Sequence, residues 1–260
     1  MTDAVWMSLV AGAFVGAASG YLGSLMITRK TALVGDALGH VALPGMGLAL
    51  LLHVDVALGA FVFLALGSLL IWRLGEITLL SLETLVGVVF VASLALGFLI
   101  VPEPELLESL IGDISKISVM GMVISAVICV AVCVVVKRIY PGMMLANISA
   151  DLARASGVRT ERLNLLFLGA IALIVSIGVK VTGSLLVGAL MILPAATARL
   201  VTSNLRSYAR ASIAIGIGSS LAGILVSRFV GFPAGPSIIL VGALLFLLGV
   251  VRQRTRRLGA

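Results

Sequence analysis

Charge is scarce in this chain. Asp, Glu, Lys and Arg make up 11% of its 260 residues, against roughly 25% in an ordinary soluble domain. With 61% of residues hydrophobic, no water-soluble fold could hide so much apolar surface. Histidine is nearly absent, His40 and His53 being the two in the chain, so there is no H-E-x-x-H pair and no intramembrane zinc protease of that type. No G-x-x-x-x-G-K-[ST] stretch occurs, which excludes ATP binding by a P-loop. Cysteine is limited to Cys129 and Cys133, four apart in one apolar run, where they read as buried small hydrophobes. The methionines are scattered and form no soft-metal relay.

What the chain does have is one apolar run after another. A bilayer core about 30 Å thick is crossed by about 20 mostly apolar residues as a helix. A closed barrel would alternate polar and apolar residues with period two. Here the runs are continuous and rich in Leu, Ala and Gly, so the expected fold is all-α, a single polytopic membrane domain over residues 1–260. Spans are placed at 5–27, 32–52, 55–72, 84–101, 117–136, 162–180, 184–202, 211–228 and 235–251. That makes nine, or eight on stricter counting. The first run is too long for a signal-peptide core and has no basic region before it.

The net charge of +7 comes from basic residues in short loops and at the C-terminus, the positive-inside pattern, and not from a nucleic-acid surface. Placing Arg29, Lys30, Arg73, Lys137, Arg138, Arg206, Arg210 and the tail arginines on the cytoplasmic side gives one self-consistent solution. The N-terminus is then outside and the C-terminus inside. His53, Asp55 and the acidic stretch Glu103, Glu105, Glu108 and Asp113 fall outside with Lys116, Lys180 and Arg228.

One cytoplasmic connection, Tyr140 to Glu161, is long and polar. Ser149 can cap a short helix through Ala150, Asp151, Leu152, Ala153, Arg154 and Ala155 to Ser156, and Gly157 can end it. Such a helix is either a docking element or a connector lying on the membrane surface. Two spans carry an internal proline, at Pro44 and Pro194, which removes a donor and opens a helix where it lines a cavity or packs; paired breaks in two halves of a transporter point to a substrate path. Gly12, Gly16 and Gly20 lie four apart and suggest close helix packing.

Asp36 and His40 stand four apart near the start of an apolar span, so a helix puts both on one face. An ionisable group inside a membrane is costly and by default functional. Carboxylate and imidazole together suit zinc, manganese or ferrous iron, with imidazole tilting toward zinc. The alternative is structural, an Asp cap and a His bonded to a backbone carbonyl. Glu83 and Thr84 begin a span and could cap it, Asp113 follows Gly112 at the outer boundary, and Arg199 is expected to snorkel to the cytoplasmic interface.

The stretches RKTALVGDALGHVALPG (29–45), ETLVGVVF (83–90), LIGDISKIS (110–118), ISADLARASGV (148–158), VTGSLLVGALMILPAATAR (181–199) and AGPSIILVGALLF (234–246) resemble, in order, the metal-ion permeases of the ABC transporter superfamily, most of all those for zinc. The resemblance implies a permease that performs no chemistry and works as a pair around a central pathway. It implies two cytoplasmic ATPase subunits that bind ATP, an extracytoplasmic metal-binding protein, and surrounding lipid. It places Asp36 and His40 on the metal pathway, Glu83, Asp113, Pro44 and Pro194 as pathway or gate residues, and Ser149 to Gly157 as the coupling helix. Gly39 stands where the family usually has Ser, and Glu83 where it usually has Asp. An importer of a metal chelate or cobalamin-like cofactor would want a wide apolar path without a ligand pair. A membrane-embedded enzyme would need more polar residues inside the spans, and a channel would have no use for a docking helix.

Overall fold

Inside hydrocarbon a backbone must satisfy its own N–H and C=O groups, and every apolar run of this chain does so as a helix. The computed structural model describes residues 2–100, 114, 117–184 and 186–258. Among them are α1 (Thr2–Thr28), α2 (Ala32–Val41), α3 (Leu43–Leu51), α4 (Val56–Ile77) and α5 (Leu82–Ile100). They are followed by α6 (Val119–Ile148), α7 (Ala150–Ala155), α8 (Thr160–Thr182), α9 (Val187–Val201), α10 (Leu205–Val230) and α11 (Ala234–Leu258). No strand occurs among the described residues. The acidic stretch with Asp113 lies outside them.

Among the described residues eight segments are long and apolar enough to cross a membrane, α2 and α3 counting together as one. The remaining expected span, 184–202, is α9, only 15 residues long and so about 22 Å at 1.5 Å per residue. It is short because Gly183, at φ 83°, ends α8, and residues up to Leu186 precede the next helix.

The two internal prolines behave differently. Pro44 occupies the first turn of α3, after the helix axis has been interrupted at Ala42. A missing N–H costs nothing there, and the His40 carbonyl it would have served accepts from the Ala42 N–H. Pro194 was expected to open its span as well. Instead α9 runs unbroken through it, since the buried turn around Pro194 is held by packing against α1, α10 and α11. Both prolines are buried, and they differ in position: Pro44 stands in the first turn of its helix and Pro194 in the interior of its own.

Close helix approach organises the rest. α1 packs against α6, α9 and α10. Its Gly16 meets the backbone of Gly216 and its Gly20 the backbone of Ser212 so closely that a Cβ at either glycine would collide. The expected small-residue face of the first span is therefore the α1–α10 seam. Gly45 of α3 and Gly59 of α4 make a second crossing of the same kind. Cys129 is buried and Cys133 half-buried, both as free thiols.

The fifth span was expected to stop near residue 136. α6 instead continues through Lys137, Arg138 and Pro141 to Ile148. Its extra turns are fastened to the C-terminal end of α1. Asn147 Nδ2 donates to the Thr28 carbonyl at 3.2 Å, and Arg29 Nη1 donates to Met143 Sδ at 3.1 Å.

Candidate functional site

α2 carries both candidate ligands, one turn apart on one face, each half-buried. Two glycines, Gly39 on α2 and Gly188 on α9, let the neighbouring chain approach α2 closely. A Cβ at Gly188, near the start of α9, would stand 2.5 Å from Asp36 Cα and 2.6 Å from its Oδ1. A Cβ at Gly39 would stand 2.7 Å from the Ser184 carbonyl oxygen and 2.9 Å from Val187 Cγ1. The turn between α8 and α9 thus closes onto α2 through the space a side chain at 39 would take. This is the physical reason for glycine where the resembled family usually has serine.

His40 lies beside the Phe90 ring of α5, with centroids 5.4 Å apart and planes at 55°. Its Nδ1 is sealed from solvent and has no hydrogen-bond partner among the described residues. Nε2 is therefore the imidazole nitrogen left to meet an incoming group. A resident metal-binding histidine normally anchors its other nitrogen on a carboxylate or carbonyl; His40 has no such anchor. Among the described residues no group of three or more His, Cys, Asp or Glu gathers around a common point.

The remaining candidates occupy other places. Glu83 is exposed in the first turn of α5, about 10 Å along that helix from Phe90. The cap of α5 is Ser81, whose Oγ accepts from the Thr84 N–H at 3.2 Å. Pro44 is buried against Gly97 of α5, a Cβ there lying 3.7 Å from its Cδ, and Pro194 is buried in α9. Arg199 is exposed in the last turn of α9, its guanidinium carbon 5.5 Å from the Tyr208 ring centroid, in keeping with snorkelling.

At the opposite end of the broken span, a cavity of about 1030 Å³ is lined by α3, α4, α6 and α8, including Met46, Leu50, Ser118 and Ile124. Neither Asp36 nor His40 lines it. Asp55 and Lys180 meet on its wall, Nζ to Oδ2 2.7 Å. Asp55 also caps α4, Oδ1 accepting from Ala57 N at 2.9 Å and Leu58 N at 3.2 Å. Partial burial works against the carboxylate, but the Lys180 ammonium and the two N–H groups outweigh it and hold its pKa below the ordinary value.

The expected short helix is present as α7. Ser149 Oγ accepts from the Leu152 N–H at 3.2 Å. At the other end Gly157 has φ 76°, its N–H donating to the Arg154 carbonyl and the Val158 N–H to the Ala153 carbonyl, both at 2.9 Å. This is the Schellman arrangement. Ala153 is fully buried where α7 packs on α6 and α8. Asp151, Leu152, Arg154 and Ala155 point outward, with Leu152 52% exposed. Ala153 therefore seats the helix on its own chain, and the free face belongs to its neighbours.

Sequence reasoning did not single out Gly188 or Phe90. A glycine and a phenylalanine in apolar runs carry no local signal, and each matters through a partner on another helix.

The model of the ABC 3 transport family matches residues 1–253. Over 250 residues the chain is 30% identical to the high-affinity zinc uptake system membrane protein ZnuB of Buchnera aphidicola subsp. Baizongia pistaciae, covering 94% of this chain and 96% of that protein. Over 245 residues it is 29% identical to the manganese import system permease protein ScaB of Streptococcus gordonii, covering 93% and 88%. Among solved structures, PsaBC from Streptococcus pneumoniae in complex with a Fab superposes with a TM-score of 0.83 at 27% identity, covering 97% of this chain and 94% of that one.

Proposed function

This chain belongs to the ABC 3 transport family, and on that footing we propose that it is the membrane-spanning subunit of an ATP-driven importer of divalent metal ions, with zinc as its cargo. The observation that carries the reading is the pair on α2: a carboxylate and an imidazole one turn apart, with Nε2 of His40 available and Nδ1 sealed. Carboxylate oxygen with imidazole nitrogen is a zinc-type donor set. The missing anchor at Nδ1 and the count of two side-chain ligands keep binding weak. A transit site needs that weakness, since an ion must leave as well as enter. Water, backbone oxygens or a second copy of the chain complete the coordination.

The chain itself performs no hydrolysis. It acts with a second copy of itself, with ATPase subunits that hold ATP and receive α7, and with an extracytoplasmic metal-binding protein that delivers the ion. It sits in the cytoplasmic membrane, N-terminus outside and C-terminus inside, as its basic loops favour. ATP binding and hydrolysis in the partner rock the two halves between outward-open and inward-open states. The broken span α2–α3, with its interruption at Ala42 directly after the ligand pair, is the element placed to respond.

Manganese is the competing cargo, favoured by the ScaB likeness at nearly the same identity. Uptake of zinc, manganese and ferrous iron by proteoliposomes holding the whole transporter separates them. Preference for zinc supports the reading; preference for manganese replaces the cargo and keeps the permease.

A further inference from the structure

Arg29, between α1 and α2, is a half-buried guanidinium with no carboxylate partner among the described residues. Its Nη1 donates to Met143 Sδ at 3.1 Å and to Asn164 Oδ1 at 3.0 Å. Its Cζ lies 5.3 Å from the Phe167 ring centroid. That uses one edge and one face. The Nε and Nη2 groups, with three N–H donors, have no acceptor among the described residues, and neither is sealed from its surroundings. This free edge is the fork that takes a phosphate or carboxylate through two parallel bonds. Burial lowers the pKa of the guanidinium, as expected for a desolvated charge without a counter-charge.

Arg29 lines a cavity of about 190 Å³ with Met143, Ala146, Thr160, Leu163 and Asn164. The Thr160 hydroxyl makes no hydrogen bond to any described residue and joins Arg29 and Asn164 as a third polar group on the wall. The level of the cavity is fixed by the helices: one span closes at Thr28 and another opens at Thr160, so it stands where headgroups meet the hydrocarbon. Exposed Lys30, Lys137, Arg138, Arg159 and Arg162 surround that end of the bundle, with Glu161 the nearest opposing charge in sequence. Such a basic field gathers anionic lipid.

We propose that the cavity at the base of α1, α6 and α8 binds a phosphate group, supplied by the headgroup of an anionic phospholipid in the adjacent leaflet. The phosphate would take the Nε/Nη2 fork of Arg29 and the hydroxyl of Thr160. Because Met143 and Ala146 end α6, and Thr160 begins α8, the bound headgroup ties together the two helices that carry α7. The inference does not depend on which metal is carried.

The test uses the full chain purified in detergent, with lipid retention read by native mass spectrometry. Dioleoylphosphatidylglycerol should bind about tenfold more tightly than dioleoylphosphatidylcholine, and inorganic phosphate should compete for the site. Arg29→Lys keeps the charge without the fork and should remove most of that preference, whereas Lys30→Gln, on the exposed neighbour, should leave it within about twofold. Inorganic phosphate that binds without any lipid preference still supports the site and names the free anion as its source. Equal retention of both lipids with no phosphate effect, or wild-type binding by Arg29→Lys, would overturn the proposal. Should Arg29→Lys fail to fold, Thr160→Val decides: weakened phosphatidylglycerol binding supports the site, and unchanged binding rejects it.

Discussion

Gly188 stands so close to Asp36 that a single added carbon would lie 2.6 Å from the carboxylate oxygen and 2.5 Å from the Asp36 Cα. One of those contacts is with backbone, which cannot swing aside as a flexible side chain would. Gly188→Ala should therefore shift α2 against α9 at a cost of about 1–3 kcal/mol. Metal uptake should fall at least about tenfold, since a ligand displaced by even 1 Å loses its geometry. The chain should still insert and still assemble with its ATPase. Uptake by Gly188→Ala at the wild-type rate would show that the Asp36 position is not critical.

The Asp55–Lys180 pair gives a prediction about stability. Asp55→Ala removes an N-cap as well as the ion pair, and should cost about 1 kcal/mol. Lys180→Ala loses only an exposed pair worth about 0–1 kcal/mol. The sign with pH follows from the lowered carboxylate pKa. The stabilising effect is complete above the unfolded value of about 3.9 and fades as pH falls toward the lower folded value. Thermal midpoints of wild type and Asp55→Asn in detergent should differ near neutral pH and converge in acid. A gap that persists in acid would count against the pair as its source.

On α7 the outward residues and the seating residue should separate experimentally. Leu152→Asp alters the exposed face and should uncouple ATP hydrolysis from transport while leaving the fold intact. Ala153→Leu crowds a fully buried position and should destabilise the chain by about 1–3 kcal/mol. Ser149→Ala should cost about 1 kcal/mol through the lost cap. Normal coupling in Leu152→Asp would reduce α7 to a connector.

How much of this was legible in the sequence divides by the range of the interactions. α7 could be read with both its ends, because a Ser cap and a Gly in the left-handed region act within a few residues. The pairing of Asp36 with His40 on one face was also a local matter of helix spacing. The extension of α6 was not legible. Lys137, Arg138 and Pro141 look like the end of a span, and what carries the helix past them is contact with Thr28 and Arg29, more than 100 positions away. Pro44 and Pro194 sit in similar apolar stretches, yet only the first accompanies a break. The close approaches at Gly39 and Gly188 likewise join α2 to residues about 150 positions away in the chain.

On the proposed pathway the metal ion should pass His40 and Asp36. That passage is tested most directly by zinc uptake into proteoliposomes containing the complete transporter, comparing wild type with His40→Ala and with Asp36→Ala/His40→Ala. The single variant should lose at least about tenfold and the double variant should show no measurable uptake, with assembly and ATP binding by the partner unchanged. Zinc uptake by the double variant at the wild-type rate would contradict the proposed pathway.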